Sequence, residues 1–466
     1  MPAYKTPDVY VEEISIFPPS VAEVGTAIPA FIGYTEKAQR VKADDLLLVP
    51  TKIYSLKEYE ALYGLPQAAD IDVALTSTAT GYSLTGVTPP TPKYLLYYAV
   101  KMYFDNGGSE CYICSVDKYS EDAISLTGDG DSSGLQDGLN AIALQDEPTL
   151  LVIPEAIKLV PADYATLAQA MLSQCGKLGD RFAVMDLFNG DKGHNTAEPL
   201  DLGVERGRYG TSNLKYGAVY YPFLKTALNH YVNAGETNVK VVIGAEPEVT
   251  LASLKESKTA AYNLAKSAIK DYYVTLPPSS SVVGVYAATD ANRGVWKAPA
   301  NVSLNQVIEP IIRLDNQLQE NFNVDTDGGK SINAIRAFAG KGTLVWGART
   351  LAGNDNEWRY VSVRRFFNMV EESIKKSTHW AVFENNDANT WIKVRGMIEN
   401  YLIDKWREGA LAGATPKEAF FVRCGLGTTM NAQDILEGRM NVEIGMAVVR
   451  PAEFIILKFS HMLQTS

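Results

Sequence analysis

Apolar residues in the middle of the chain form short continuous runs that alternate with segments of helical periodicity. The runs at Leu150–Pro154, Phe182–Asp186 and Gly217–Pro222 predict buried strands, because each is short and almost entirely apolar. Leu135–Leu144 and Tyr164–Leu178 repeat apolar positions three and four residues apart and predict helices. This alternation favours an α/β domain with a largely parallel sheet.

The pattern differs on either side of this region. Before it, Ile28–Tyr34 and Cys111–Val116 predict buried strands, and residues 75–92, rich in Thr, Ser, Gly and Pro, predict a loop or a small β insertion. After residue 358, Val361–Ser377 and Ala388–Gly409 predict long helices. Short strands are predicted at Trp380–Glu384, Phe420–Cys424, Asn441–Val449 and Glu453–Phe459.

A chain of 466 residues exceeds the size of one compact core, so we expect several domains. The predicted fold class is α/β and α+β and multidomain, with an inner α+β domain built from the N-terminal arm and the C-terminal region and an α/β domain inserted between them. The predicted divisions are an N-terminal arm at 1–24, the start of the body at 25–110 with a variable insertion at about 36–92, an α/β middle domain at 111–350, a C-terminal domain at 351–450 and a terminal strand at 451–466.

The charge balance argues against a nucleic-acid partner. The formal net charge is −11, and no basic stretch of the kind that follows a phosphate backbone is evident. The N-terminus lacks a basic start followed by an apolar run, and no apolar stretch reaches about 18 residues. We therefore expect no secretion signal and no insertion into a membrane.

No complete motif for catalysis, metal binding or cofactor binding is evident in the sequence. Cys111 and Cys114 lie within one predicted strand and face opposite sides, so they are interpreted as buried structural thiols. The stretch at 328–331 lacks the first glycine of a phosphate loop, and the stretch at 129–134 has Asn140 where a calcium loop needs Glu. We predict no cofactor, no metal site and no catalytic residue. An α/β enzyme whose active site is assembled from distant residues stays open as an alternative.

The two ends carry apolar strands without an evident local partner. The N-terminal run includes Val9, Tyr10, Val11, Glu12 and Ile14. The C-terminal run includes Phe454, Ile455, Ile456, Leu457 and Phe459. A strand of this kind must be covered, either within its own subunit or by adding to the sheet of a neighbour. Composition alone does not decide between these alternatives.

Several runs resemble the contractile tail sheath proteins of phages and phage-tail-like particles. The resemblance is spread over most of the chain and weakens at about 36–92 and 225–280. The runs that carry it are Tyr4–Glu13, Ile28–Thr35, Asp146–Pro154, Ala218–Pro222, Asn292–Ala300, Leu344–Leu351, Trp358–Arg365, Val382–Asn386, Trp406–Leu411, Asn441–Gly445 and Arg450–Phe454.

The resemblance implies a structural protein rather than an enzyme. Such subunits form sixfold rings that stack helically around an inner tube, and their contraction drives the tube through a target envelope. The resemblance implies that the terminal strands link neighbouring copies, and that the partners are other copies, the inner tube protein, and baseplate and cap proteins at the sheath ends. Synthesis in the bacterial cytoplasm and assembly into a tail or a released tail-like particle are expected. The single chain favours a phage tail or an extracellular injection system over a type VI system.

The resemblance also suggests where the tube is contacted. Charged side chains on the two C-terminal helices are the candidates, since charged contacts hold the tube yet release it on firing. The candidate tube-facing residues are Arg364, Arg365, Glu371, Glu372, Lys375, Lys376, Lys393 and Arg395.

Overall fold

The computed structural model describes residues 20–130, 132–193, 196 and 198–457. They divide into two compact units. Unit 1 joins the described residues up to Val24 to Val370–Val449, and unit 2 joins Gly25–Met369 to the described residues from Arg450 onward. Each unit is therefore discontinuous in sequence, and the multidomain α/β and α+β organisation predicted from the sequence is confirmed.

A mixed sheet forms the centre of unit 2. Over the described residues it has nine strands in the order β13-β16-β15-β8-β7-β6-β1-β5-β2. Their bounds are β1 Pro29–Thr35, β2 Thr51–Ile53, β5 Cys111–Lys118, β6 Leu150–Val152, β7 Phe182–Asp186, β8 Gly217–Tyr221, β13 Val302–Ser303, β15 Asn333–Phe338 and β16 Gly342–Val345. The pairs from β15 through β8, β7, β6 and β1 to β5 are parallel, whereas β2, β13 and β16 pair antiparallel at the two ends. The predicted, largely parallel sheet is confirmed.

Both faces of this sheet are buried, as a parallel sheet covered by helices requires. In β1, Ala30, Ile32 and Tyr34 pack into the hydrophobic core on one face, and Phe31 packs into the core on the other. In β5, Cys114 joins the first core and Cys111 the second. The prediction that these two thiols are buried on opposite sides of a strand is confirmed.

Helices of unit 2 cover the two faces of the sheet and its neighbouring sheets. Their bounds are α1 Leu56–Tyr63, α2 Leu96–Asp105, α3 Leu135–Ile142, α4 Pro161–Leu178, α5 Leu202–Gly207, α6 Leu251–Ser257, α7 Thr259–Ile269, α8 Ser279–Arg293 and α9 Asn316–Asn323. Local signals in the sequence set several of the ends. For α1, the Ser55 side chain accepts from the backbone N–H of Glu58, and Gly64 follows the last turn with φ of +85°.

Two smaller sheets complete unit 2 in the part of the chain that is described. One has the order β11-β10-β3-β4 and packs with α6 and α7 around its own hydrophobic core. The other has the order β12-β9-β14. Their strands are β3 Ile71–Thr78, β4 Gly81–Thr88, β9 Leu224–Asn229, β10 Val239–Ile243, β11 Val249–Thr250, β12 Tyr273–Leu276 and β14 Val307–Pro310. The insertion predicted at 75–92 is thus a β-hairpin that begins slightly earlier.

Unit 1 is smaller and is built on helices. Helix α10, Val361–Ser377, begins in unit 2 and continues into unit 1, and α11 spans Ala388–Arg407. The remaining elements are α12 Pro416–Ala419, β17 Phe420–Arg423, α13 Ala432–Leu436 and β18 Glu443–Met446. The bounds predicted for α10 are confirmed, and α11 ends slightly earlier than predicted. Asp387 caps α11, because its side chain accepts from the backbone N–H of Thr390 at 3.0 Å.

The strand predicted at Trp380–Glu384 is wrong. A short 3-10 helix occupies His379–Ala381, and the chain then turns. Phe383 has a φ of +70°, in the left-handed region that a strand does not use. The β-favouring side chains of this run form a strand only where a partner strand is present, and this turn supplies none among the described residues. Residues Asn441–Val449 form a strand only at Glu443–Met446.

Candidate functional site

The small sheet of unit 1 consists of β17 and β18 in antiparallel pairing. Phe421 lies opposite Gly445, and its ring occupies the space that a Cβ atom at Gly445 would need. Val422 is buried, whereas Phe421 and Arg423 on the alternate face are exposed. Arg423 pairs with Glu443 across the strands at 3.5 Å, an exposed ion pair that adds little stability.

This sheet has only two strands within the described residues. Two-stranded sheets are marginal on their own, and their outer edges offer unpaired backbone N–H and C=O groups. Beyond Met446, the described chain adds a bridge between Leu411 and Val448, with backbone hydrogen bonds from Ala412 to Ala447 and from Val449 to Ala410. The sheet therefore has the geometry of an acceptor for further strands, and we call β17 with β18 the acceptor sheet.

The described end of the N-terminal arm is held within unit 1. The backbone N–H groups of Ala22 and Val24 donate to the side-chain hydroxyls of Ser377 and Ser373, at 3.0 and 3.1 Å. Glu23 forms an ion pair with Lys405. The predicted linker residues Val9, Tyr10, Val11, Glu12 and Ile14 lie outside the described residues.

The C-terminal segment is fixed to unit 2 by one carboxylate. Glu453 accepts from Nε of Arg349 at 3.0 and 3.1 Å and from Nη2 of the same side chain at 2.5 Å. The side-chain amide of Asn323 and the hydroxyl of Tyr360 donate to it at 2.9 and 3.2 Å. We call Glu453 with these three partners the latch. The latch could not be predicted from the sequence, because its partners lie about a hundred residues from Glu453 and no local motif links them.

The latch also sets the ionisation of Glu453. Partial burial by itself would raise the pKa of this carboxyl. The hydrogen bonds from Arg349 and Asn323, with the Arg349 charge, instead bring the pKa below its ordinary value. Glu453 is therefore ionised at neutral pH, and the ion pair weakens only as the pH falls through that lowered value.

The chain beyond the latch is exposed. Phe454, Ile455, Ile456 and Leu457 are between 70% and 80% exposed, and the described residues 453–457 contain no strand. The predicted strand at Glu453–Phe459 is thus not formed by this chain alone over the described part, and Phe459 lies outside it. Four consecutive exposed apolar side chains are unusual on a soluble surface and mark a segment that needs a cover.

The structure corrects the expectation for three candidate tube-facing residues, because they are buried. Arg364 donates from Nε to Asn368 at 2.7 Å, and its guanidinium lies over the ring of Trp358 at 4.3 Å. Glu372 is buried and pairs with Lys375 and Lys376 of the same helix. Because charged side chains are usually exposed, this burial could not be predicted from the sequence.

Arg365 is the third buried residue of that set. Its guanidinium donates to both carboxylate oxygens of Asp290, at 3.1 and 2.5 Å, and to the carbonyl oxygen of Thr26 at 2.8 Å. It also lies 4.7 Å from the ring centroid of Tyr286. The Arg365 and Asp290 side chains are only 3% and 6% exposed, so removing either one would leave the other charge buried without its partner.

We expect Arg365→Ala to lower the free energy of unfolding by about 3–5 kcal/mol, since it leaves the Asp290 carboxylate buried without its partner. Guanidinium unfolding followed by tryptophan fluorescence measures this change. Arg313→Ala is the matched control in the same unit, because the Arg313 side chain is 84% exposed and its ion pair with Glu309 lies at the surface, and it should change the value by at most about 0.5 kcal/mol. Equal effects of the two substitutions would contradict the structural role of Arg365.

The other charged candidates remain accessible. Glu371, Lys375 and Lys393 are exposed, and Lys376 and Arg395 are partly exposed. Arg395 lies 3.6 Å from Glu399 on the next turn of α11. These five side chains keep the expectation of an outward charged surface on α10 and α11.

Two buried carboxylates are the strongest candidates for chemistry, and both are engaged in the fold. Burial raises the pKa of Glu155 and of Asp186 to about 7. Glu155 accepts from the backbone N–H groups of Tyr34, Leu95 and Leu96, and so caps the start of α2. Asp186 accepts from the backbone N–H and the hydroxyl of Ser279 at the start of α8. Each therefore satisfies a helix N-terminus.

The described residues contain no cluster of three or more His, Cys, Asp or Glu side chains placed to bind a metal ion. Within that part of the chain, no helix combines the length and the apolar character that a bilayer crossing demands.

This chain is similar to known proteins in sequence and in fold. The phage tail sheath C-terminal domain family matches residues 353–460, which include the acceptor sheet and the latch carboxylate. The tail sheath protein of Enterobacteria phage T4 is 27% identical over 127 residues. That alignment covers 27% of this chain and 19% of the T4 protein, so it spans well under two thirds of the relative.

Solved structures match over nearly the whole chain. The sheath complex of the extracellular contractile injection system PVC, in its contracted state, is 30% identical with a TM-score of 0.64, covering 99% of this chain and 98% of that one. The contracted helical sheath of the anti-feeding prophage (AFP) is 31% identical with a TM-score of 0.63, covering 98% and 99% of the two chains. The chain therefore belongs to the contractile tail sheath family, whose members are structural proteins rather than enzymes.

Proposed function

We propose that this chain is the repeating subunit of a contractile sheath that polymerises as stacked sixfold rings around an inner tube and contracts to drive the tube through a target envelope. The observation that carries the proposal is the match, at 30% identity over 99% of this chain, to a sheath solved in its contracted state. The acceptor sheet and the exposed C-terminal run support it independently, since among the described residues neither has the further partner strand that a second copy can supply.

The link between copies is β-augmentation. The run Phe454–Leu457 of one copy adds to the edge of an acceptor sheet in another, where backbone hydrogen bonds hold it and its apolar side chains are covered. The N-terminal run Val9–Ile14 is the second donor strand. An exposed strand donor and an incomplete sheet in the same chain are complementary, which favours pairing between copies.

This contact also explains how a filament forms. The donor and the acceptor are different surfaces of the chain, so the contact is head-to-tail rather than self-complementary. Head-to-tail contacts that do not close into a single ring extend into helical assemblies. Strand links at the ends then keep subunits connected while their bodies move during contraction.

The energy for contraction comes from new contacts between bodies. Burying roughly 100 Å² of additional apolar surface is worth about 2.5 kcal/mol. Every subunit contributes this amount, so the sum over a long sheath is large without any nucleotide. The stretch at 328–331, which lacks the first glycine of a phosphate loop, is consistent with this source of energy.

The inner tube protein is the second partner. The accessible charges of α10 and α11, namely Glu371, Lys375, Lys376, Lys393 and Arg395, are the proposed tube-facing set. Exposed charged contacts steer association but add little binding energy individually. Such a surface holds the tube in register and releases it when the sheath contracts.

Further partners follow from the ends of such an assembly. Baseplate and cap proteins terminate the sheath. We infer synthesis in the bacterial cytoplasm, followed by assembly into a phage tail or into an extracellular injection particle. The PVC sheath, which this chain matches over 99% of its length, belongs to an extracellular contractile injection system, and this likeness favours that setting.

Negative-stain electron microscopy of the purified full chain, alone and with the inner tube protein of its particle, tests the proposal. We expect rings or tubes of regular diameter. A monodisperse monomer at high concentration, with no polymer on adding the tube protein, would contradict it.

The same grids test the proposed tube contact. The double variant that carries both Lys375→Glu and Lys393→Glu is compared with the control Lys417→Glu on α12. The combined variant should lose the tube while still forming polymers.

A further inference from the structure

We propose that Glu453 is a positioning residue for assembly: its carboxylate, held by the latch, fixes where and in which direction the run Phe454–Leu457 leaves unit 2. The apolar run is thereby presented to a neighbouring copy as a pre-aligned strand. This inference rests on the proposed function, because it concerns the same C-terminal link.

Arg349, the main partner of Glu453, is itself held in the fold by further hydrogen bonds. Arg349 is buried, and its backbone is fixed in both directions by Asn333, the first residue of β15. The Arg349 N–H donates to the Asn333 side chain at 2.8 Å, and the Asn333 side chain donates back to the Arg349 carbonyl oxygen at 2.8 Å. Arg349 also donates from Nη1 to the carbonyl oxygen of Asn323 at the end of α9. The latch is thus built into the main sheet and a helix end.

The latch is specific for a carboxylate. The two Arg349 nitrogens, Nε and Nη2, meet both oxygens of Glu453 in a fork. The Tyr360 hydroxyl and the Asn323 amide donate to the remaining lone pairs. All of the recorded partners are donors. A glutamine at position 453 would turn one oxygen into an NH₂ group facing them, and would lose the charge.

Among the described residues, the latch is the last anchor of the chain before the exposed run begins. Over residues 454–457 the side chains are exposed and no strand is formed. Holding Glu453 in place reduces the number of directions that the run Phe454–Leu457 can sample. The run then loses less conformational freedom when it pairs with another copy. The latch therefore lowers the entropic cost of adding the strand to another copy.

The test combines a mobility measurement with an assembly measurement. The four native cysteines are buried, so a nitroxide placed on Phe454→Cys labels one site. In the monomer we expect Glu453→Gln to increase the mobility of this label. In the unlabelled chain the same substitution should reduce the yield of polymers about tenfold at a fixed protein concentration. Glu437→Gln, on an exposed residue outside the latch, is the matched control and should change neither quantity.

The outcomes separate this inference from the proposed function. Unchanged label mobility in Glu453→Gln would show that the latch does not hold the run. Increased mobility with a normal polymer yield would show that assembly does not use it, and either result overturns the inference. Tyr360→Phe removes one donor and keeps the fork, so it should give a smaller loss of yield. If a chain lacking residues 454–466 polymerises normally, the proposed strand link itself has failed, whatever the latch does.

Discussion

Removing residues 454–466 is expected to give a chain that folds normally but does not form a sheath. The deletion keeps Glu453 and its latch, and it takes away four described side chains that are exposed in the single chain. These make no buried contribution to unit 2, so the melting temperature should stay close to that of the full chain. What is lost is the donor strand for a neighbouring copy.

The expected size of the loss follows from what pairing would bury. Covering about two of the four apolar side chains at roughly 2 kcal/mol each gives about 4 kcal/mol per contact. That corresponds to about a thousandfold weaker association at each link. Sedimentation of polymers and negative-stain counts of tubes measure this loss of association, with melting curves as the check on folding.

Deleting residues 1–19 should have the same effect, because it removes the N-terminal donor strand. Tubes of normal yield from either truncated chain would show that the terminal runs are not links.

A proline at Ile444 is expected to block assembly from the acceptor side. The N–H of Ala447 donates to the carbonyl oxygen of Ala419, so the N–H groups of Gly445 and Glu443 point towards β17 by strand alternation. The N–H of Ile444 then points away from β17, towards the open edge. Proline there removes a donor that an added strand needs while sparing the bonds between β17 and β18.

Two measurements distinguish a blocked edge from a damaged fold. Ile444→Pro should keep a melting temperature near that of Ile444→Ala, the control for loss of the side chain. Its polymer yield should fall at least about tenfold below that of the control, the expected cost of one lost backbone bond and a distorted edge. A proline variant that melts normally and polymerises as well as Ile444→Ala would mean that this edge is not used.

The sequence predicted the elements of this fold well where the signal is local. The bounds of α10 agree with the prediction because apolar residues repeat at helical spacing along Val361–Ser377. The all-buried strand β1 agrees because a short apolar run flanked by turns has few alternatives. Trp380–Glu384 failed for the converse reason: strand-favouring side chains do not make a strand without a partner strand beside them.

Much of the candidate site depends on long-range pairing, which a single sequence does not reveal. In the sequence, Arg364 and Arg365 are typical of a charged helix surface. In the folded chain both are buried, Arg364 against Trp358 and Arg365 against Asp290. Glu453 looked like one polar residue in an apolar run, and Arg349, its main partner, is distant in sequence. Charge at helical spacing therefore indicated where a surface could be, but not which side chains reach it.

The interior place of β1 has a mechanical consequence. The chain that precedes it is the N-terminal arm, and β1 lies between β5 and β6, parallel to both. A pull on the N-terminal end of β1 along its own axis would load the hydrogen bonds on both sides of the strand together in shear. A strand at the rim of the sheet would instead be peeled away one bond at a time. The interior position of β1 therefore resists such a pull better than a position at the rim of the sheet would.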